Sequence, residues 1–88
     1  MFRKEAKILN SFGIHARPAG MIASVASTFE SDIKLIKDRM EVNAKSIMGI
    51  LSLAAGKGTR IIIEARGKDE KEAVSAIAEI FEKKFDLE

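Results

Sequence analysis

The chain has 88 residues, 47% of them hydrophobic and 32% charged, which suits one small globular domain and excludes a disordered segment. With no cysteine and one histidine it can form neither disulfides nor a thiolate or multi-histidine metal site, and we expect no metal and no other cofactor. The net charge of +2 and the scattered lysines argue against direct binding of nucleic acid. No run of about 18 apolar residues and no signal-peptide core is present, which predicts a cytoplasmic protein without membrane insertion.

Hydrophobic periodicity in the first half of the chain predicts three strands and one helix. Alternation over residues 2–8 is typical of a half-buried strand. Residues 16–29 place apolar side chains on one face at helical spacing, which predicts a first helix. Ile33–Ile36 and Met40–Val42 are then expected to form two strands joined by a turn at residues 38–39.

The second half predicts two helices around a fourth strand. Residues 46–55 fit a short helix, and residues 56–58 end it because their two glycines adopt positive φ readily. The β-branched run Arg60–Glu64 predicts a strand that Gly67 closes. A last helix starts at Asp69, which has the capping-box spacing to Glu72, and its buried side is expected to consist of Ala73, Ile77, Phe81 and Phe85.

The element order β-α-β-β-α-β-α predicts an α/β (α+β) fold class. Strands and helices in this order form a single sheet covered on one face by helices, which is a two-layer sandwich. No linker or internal repeat interrupts the pattern, so we expect one domain over residues 1–88.

The single histidine, His15, lies where a loop is expected to become a helix. A helix N-terminus has backbone N–H groups without acceptors and a partial positive charge, so it favours a bound phosphoryl group. Arg17 adds a full positive charge, and Pro18 suits a first helical turn because its missing N–H removes a donor that had no partner there. A nucleophile, a cation and the free amides of Ala16 and Arg17 therefore converge, and the cation and amides are expected to hold phosphoryl oxygens.

Two other interpretations of His15 compete with a phosphoryl carrier. An isolated histidine is more often a surface residue or a helix cap. A Ser-His-Asp catalytic arrangement assembles in space and cannot be judged from sequence order, but so small a fold leaves little room for a substrate pocket. A carrier needs only an exposed nucleophilic nitrogen, and neutral imidazole supplies one.

Residues 13–19 (GIHARPA) and 43–53 (NAKSIMGILSL) resemble the two signatures of HPr, the histidine-containing phosphocarrier family of the bacterial phosphoenolpyruvate-dependent sugar phosphotransferase system. The resemblance extends over the whole chain. It implies an open-faced β-sandwich with a four-stranded antiparallel sheet and three helices on one face. It also implies that His15 accepts a phosphoryl group on Nδ1 from enzyme I and donates it to sugar-specific IIA proteins, with Arg17 as the phosphate-binding cation. Such a chain is a stoichiometric carrier, not an enzyme, and we expect a monomer.

Ser46 precedes an apolar helical segment, so its simplest role is that of an N-cap. The matching serine of the family is the target of a regulatory kinase, HPr kinase/phosphorylase, and a helix N-terminus accommodates an added phosphate. The resemblance therefore supports an alternative function, that of a corepressor whose Ser46-phosphate form binds a catabolite-control transcription factor. A purely regulatory relative of the family lacks the active histidine, so the presence of His15 favours the carrier.

A short helix after Ser46 cannot bury all of its apolar residues on one stripe. We therefore expect some of them to face solvent, and in the family this surface receives enzyme I, the IIA proteins and the kinase. An exposed apolar patch with an adaptable methionine suits docking. The expected docking residues are Phe12, Ile47, Met48 and Leu51. A small nucleic-acid-binding domain is a third possibility that depends on the pI alone, since the chain has no Trp or Tyr on which bases would stack.

Overall fold

The computed structural model describes residues 1–87 and contains the predicted elements in the predicted order. The strands are β1 (Phe2–Lys7), β2 (Asp32–Lys37), β3 (Met40–Asn43) and β4 (Arg60–Arg66), and the helices are α1 (Ala16–Ala26), α2 (Ile47–Ser52) and α3 (Glu70–Glu82). The strands form one antiparallel sheet in the order β1-β4-β2-β3, so β1 and β3 are its edges. The predicted open-faced sandwich is confirmed.

The two faces of the sheet differ because side chains alternate along each strand. On the face that the helices cover, Leu35 of β2 lies opposite Ile63 of β4, and both are buried. On the open face, Glu64 lies between Arg3 and Lys34 and forms a salt bridge with Arg3. Because one face of the sheet is apolar and the other is charged, the helices pack on the apolar face.

The core lies between the sheet and the three helices. The apolar stripe of α1 is buried, and so is that of α3. Phe81 at the end of α3 packs against Phe85, with ring centroids 5.1 Å apart. Phe85 is buried as predicted but lies outside α3, in a 3₁₀ turn where its φ is +55°, since α3 ends at Glu82.

The predicted extension of α1 to Phe29 is wrong, because α1 ends at Ala26. Thr28 turns back on the helix, its Oγ1 donating to the Val25 carbonyl at 2.7 Å. The backbone N–H groups of Glu30 and Ser31 then donate to the Asp69 carboxylate, each at 3.0 Å. The chain leaves the helix because these side-chain bonds hold the next residues in a loop.

The predicted capping box of α3 is also wrong. Asp69 is the N-cap, but its side chain makes no cap hydrogen bond, since its oxygens accept from Glu30 and from both the N–H and the hydroxyl of Ser31. The acidic side chain that binds the backbone before α3 is Glu70 and not Glu72: its Oε1 accepts from Gly67 N–H at 3.1 Å. The Asp69 carboxylate thus binds Glu30 and Ser31, which are remote in sequence, and not a backbone N–H of its own helix.

The predicted end of α2 at residues 56–58 lies too far along the chain. The helix ends at Ser52, and the first residue with a positive φ after it is Ala54, at +49°; Gly58 follows with φ +89°. The Leu53 carbonyl accepts a hydrogen bond from Lys37 Nζ at 3.0 Å, and Leu53 and Ala55 are both buried. Burial of these two side chains takes the backbone out of the helix before the glycines are reached.

Candidate functional site

His15 is the last residue before α1 and has an extended backbone, with φ −121° and ψ −168°. Its carbonyl accepts from Ala19 N–H at 3.0 Å, which begins the helix. Its side chain is exposed and makes no hydrogen bond to any other residue among 1–87. The imidazole is therefore accessible from solvent.

Two residues of the first turn of α1 supply positive character beside His15. The backbone N–H groups of Ala16 and Arg17 have no intrahelical acceptor, as at the start of any α-helix. The Arg17 side chain is exposed and forms no salt bridge within residues 1–87. Pro18 is the third residue of α1, buried in its first turn as predicted. The predicted cation and amides thus share one helix start with the imidazole.

A buried turn supports the loop before His15, and the sequence interpretation gave it no role. Asn10 donates from Nδ2 to the Gly13 carbonyl at 2.7 Å, and Gly13 N–H donates to the Asn10 carbonyl at 3.2 Å. Ile14 N–H donates to the Ala55 carbonyl at 2.9 Å. Gly13 has φ +67°, and a Cβ there would lie 2.5 Å from the Ala55 oxygen. An Asn followed three residues later by Gly is a turn signature, so the backbone bond from Gly13 N–H to the Asn10 carbonyl was predictable.

Ser46 is the N-cap of α2, as predicted. Its backbone is extended, with φ −110° and ψ 114°, and its Oγ accepts from Gly49 N–H at 3.0 Å. Its carbonyl accepts from Ile50 N–H at 3.0 Å. The hydroxyl is half-buried and has one local partner, so the helix start is well defined.

The residues predicted for docking divide into three that face solvent and one that does not. Phe12 is 88% exposed, Met48 77% and Ile47 46%. Leu51 is half-buried and packs against the core. Phe12 belongs to the loop before His15, and Ile47 and Met48 lie in the first turn of α2, which packs against α1.

Two lysines hold α2 in place at its two ends. Lys45, just before the N-cap, donates from Nζ to the Phe29 carbonyl at 2.9 Å. Lys37, at the end of β2, donates to the carbonyl of Leu53 after the last turn of α2. The position of α2 relative to α1 and the sheet therefore depends on charged side chains as well as on the core.

The charges are distributed unevenly over the chain. None of the 13 acidic residues lies in residues 6–29 or 42–63, which include the His15 loop, α1 and α2. Arg17, Lys45 and Lys57 lie in these segments. The carboxyl groups with lowered pKa lie elsewhere, for example Asp69, whose pKa is lowered by the hydrogen bond from the Ser31 hydroxyl.

Comparison with known proteins identifies the family. Residues 2–83 match the family described as PTS HPr component phosphorylation site. The chain belongs to the HPr family. It is 47% identical over 88 residues to phosphocarrier protein HPr of Treponema pallidum (strain Nichols), with 100% of both chains covered. HPr proteins are phosphocarriers of the phosphotransferase system.

Solved HPr structures share the fold. HPr-C-His from Thermoanaerobacter tengcongensis has a TM-score of 0.96 and 44% identity, covering 100% of this chain and 99% of that one. Crh, the catabolite repression containing protein of Bacillus subtilis, has a TM-score of 0.77 and 40% identity, covering 94% and 95%. None of the helices within residues 1–87 has the length and apolar character needed to cross a bilayer.

Proposed function

We propose that this HPr-family chain relays a phosphoryl group through His15, from enzyme I to sugar-specific IIA proteins. The observation that supports this most directly is the exposed imidazole of His15, without a hydrogen bond inside residues 1–87, at the start of α1. A carrier nitrogen must reach a donor and then an acceptor, so it has to be accessible from solvent on both occasions.

The chemistry follows from a neutral imidazole. The Nδ1 lone pair attacks the phosphorus of phosphorylated enzyme I, a new N–P bond forms, and the bond from phosphorus to the donor breaks with its electron pair returning to the donor. The proton stays on Nε2. Arg17 and the amides of Ala16 and Arg17 then bind the phosphoryl oxygens, where charge is concentrated during transfer. A nucleophile of the IIA protein then attacks the phosphorus, and the N–P bond breaks with its electron pair returning to Nδ1.

Docking is assigned to the exposed side chains of Phe12, Ile47 and Met48, with Leu51 at the edge of the patch where it joins the core. Apolar side chains beside exposed cations suit a partner that presents an apolar patch surrounded by acidic residues. The absence of acidic residues from 6–29 and 42–63 supports the same kind of partner for enzyme I and the IIA proteins.

In this role residues 1–88 act as one HPr-like domain in the cytoplasm, as a stoichiometric carrier and not as an enzyme. The chain works as a monomer, because the patch that must receive each partner is on its own surface. One solved relative is named as an HPr dimer from Thermoanaerobacter tengcongensis, 45% identical with a TM-score of 0.77. Sedimentation of the purified chain decides between the two states.

Ser46 supports a second function, regulation by an HPr kinase/phosphorylase. Its hydroxyl lies at the start of α2, next to the exposed Ile47 and Met48, so a phosphate there would add negative charge to the docking patch. A chain acting mainly as a corepressor through Ser46-phosphate and a catabolite-control transcription factor is the alternative. The similarity to Crh, whose name refers to catabolite repression, supports this alternative function.

The test of the carrier function is phosphorylation by phosphoenolpyruvate and enzyme I, with His15→Ala as the variant. We expect the unmodified chain to take up one acid-labile phosphate and His15→Ala to take up none. The thermal midpoint of the variant should stay close to that of the parent chain, because the His15 side chain is exposed and caps no helix. Wild-type uptake by His15→Ala would contradict the proposal.

A further inference from the structure

We infer that Asn10 is a positioning residue for phosphoryl transfer at His15, an inference that rests on the proposed function of His15. Asn10 is 1% exposed, although asparagine is usually a surface residue. It lies between the end of β1 and the His15 loop, and its carboxamide contacts the backbone of that loop directly.

The carboxamide closes the turn over residues 10–13 by a second bond. Gly13 N–H donates to the Asn10 carbonyl at 3.2 Å, as in an ordinary turn, while Asn10 Nδ2 donates to the Gly13 carbonyl at 2.7 Å. Both polar groups of the Gly13 backbone are therefore bound to the same residue. The orientation of the carboxamide is fixed, since its oxygen in place of Nδ2 would face the carbonyl oxygen of Gly13.

The opposite side of the same peptide unit rests on the segment after α2. Gly13 packs so closely on Ala55 and Gly56 that an added Cβ would lie 2.5 Å from the Ala55 oxygen and 2.7 Å from the Gly56 Cα. Ile14 N–H donates to the Ala55 carbonyl, and the Ile14 side chain is buried. The backbone before His15 is therefore held between the Asn10 carboxamide on one side and residues 55–56 on the other.

His15 depends on this backbone for the position from which its side chain starts. Its own side chain makes no hydrogen bond within residues 1–87, so among these residues the peptide units on either side set the position of Cα and the direction of the Cα–Cβ bond. The helix fixes the C-terminal side, and the Asn10–Gly13 bond fixes the N-terminal side. Alignment of the imidazole with the Ala16 and Arg17 amides therefore requires the Asn10 carboxamide.

Asn10 is poorly suited to a purely stabilising role. Its Oδ1 is buried and has no hydrogen-bond partner among residues 1–87, and burial of an unpaired polar atom opposes folding. An interior chosen for stability alone would place a fully paired or apolar side chain here. A buried side chain that leaves one polar atom unpaired and orders the loop before His15 with another is what a positioning role requires.

The test compares Asn10→Ala with Ser31→Ala, which also removes a buried side chain bonded to another part of the fold. Ser31 lies beyond the opposite end of α1 from His15. The rate of transfer from phosphorylated enzyme I at saturation, and the rate of labelling by phosphoramidate, a small donor that needs no docking, are measured well below the lowest thermal midpoint. Asn10→Ser, which keeps a hydroxyl donor on a shorter side chain, is measured alongside.

We expect Asn10→Ala to lose about tenfold in the transfer rate and to be labelled more slowly by phosphoramidate, because the misplacement affects either donor. Asn10→Ser should lie between it and the parent chain, and Ser31→Ala should lower the midpoint but keep the parent rates. The inference is overturned if both Asn10 variants transfer at the parent rate, if only the reaction with enzyme I is slowed, or if Ser31→Ala loses as much. A parent chain that accepts no phosphate would instead refute the proposed function.

Should Asn10→Ala fail to fold, Asn10→Ser decides alone. A slowed reaction with both donors supports the positioning role, and parent rates with a lowered midpoint overturn it.

Discussion

At the scale of single residues, the proposed mechanism uses the guanidinium of Arg17, which forms no ion pair with any residue among 1–87. Arg17 is exposed and unpaired within residues 1–87, so holding it ready for a phosphoryl group removes no bond from the fold. Guanidinium groups bind phosphoryl oxygens with two parallel N–H donors, which a lysine ammonium does not reproduce.

We predict that Arg17→Ala slows transfer from enzyme I to His15 by about tenfold to a hundredfold, with an almost unchanged thermal midpoint. Arg17→Lys should recover only part of the rate, because it restores the charge but not the paired donors. Single-turnover transfer rates and thermal unfolding of the three proteins provide the measurement. Equal transfer rates in the parent chain and Arg17→Ala would remove Arg17 from the mechanism.

At the scale of elements, the N-terminus of α3 is joined to the loop after α1 by Asp69. Its carboxylate accepts from the Ser31 hydroxyl at 2.5 Å and from two backbone N–H groups at 3.0 Å. These bonds stabilise the charged form, and the Ser31 hydroxyl is the largest cause of the lowered pKa of Asp69. The loop and the helix are therefore held together by a group whose charge depends on pH.

Asp69→Asn should lower the stability at neutral pH, and this difference should shrink in acid. Because the pKa of Asp69 is lower in the folded state than its ordinary value of 3.8, its contribution is fully present above pH 3.8 and is lost as the pH falls through the folded-state pKa. Urea unfolding of the parent chain and Asp69→Asn at neutral pH and below pH 3.8 measures the difference in their free energies of unfolding. Glu72→Gln, which removes the predicted capping-box carboxylate, serves as the control and should change little at either pH. A difference for Asp69→Asn that persists in acid would contradict the prediction.

The elements also show where the sequence was informative and where it was not. Strands and helix stripes followed from periodicity, because burial repeats along one element. The ends of α1 and α2 did not, since they depend on hydrogen bonds that Asp69 accepts and Lys37 donates, and both residues are remote in sequence from those ends. At the candidate site, the N-cap role of Ser46 was predictable because it is local, whereas the support of Gly13 by Ala55 was not.

Ser46 couples the stability of α2 to the charge of the docking patch. In Ser46→Asp a carboxylate replaces the hydroxyl as the acceptor for Gly49 N–H at the helix start, where a negative charge gains about 0.3–1 kcal/mol. We predict a thermal midpoint close to that of the parent chain but slower phosphorylation of His15 by enzyme I. The two quantities are measured on the same preparations. An unchanged rate would show that Ser46 is only a helix cap.

Ser46→Ala is the matched control for that measurement. It removes the cap without adding charge, so it should lose about 0.5–2 kcal/mol of stability while keeping the parent transfer rate. Loss of the transfer rate in Ser46→Ala as well would assign the effect to the helix start and not to the charge.

At the scale of the whole molecule, the fold brings parts of the two segments without acidic residues, 6–29 and 42–63, together near the His15 loop. The loop before His15 packs on residues 55–56, and α1 packs on α2, so segments distant in sequence share one side of the molecule. Of the acidic residues in the last part of the chain, Glu64 lies in β4 and most of the others lie between Asp69 and the end of α3. A net charge of only +2 therefore averages over two sequence segments that carry cations and no carboxylates and a last part of the chain that is rich in carboxylates.

This separation predicts that the affinity for enzyme I depends on local charge and not on net charge. Lys57→Glu and Lys68→Glu change the net charge equally, but Lys57 follows Gly56, which lies against the His15 loop, whereas Lys68 precedes α3. We expect Lys57→Glu to raise the KM for transfer several-fold with kcat little changed, because charges at an interface act chiefly on association. Lys68→Glu should leave both constants unchanged. Added salt should weaken the effect of Lys57→Glu, since screening reduces interactions between exposed charges beyond about 10 Å at 0.1 M. Equal KM values for the two variants would show that enzyme I responds to net charge alone.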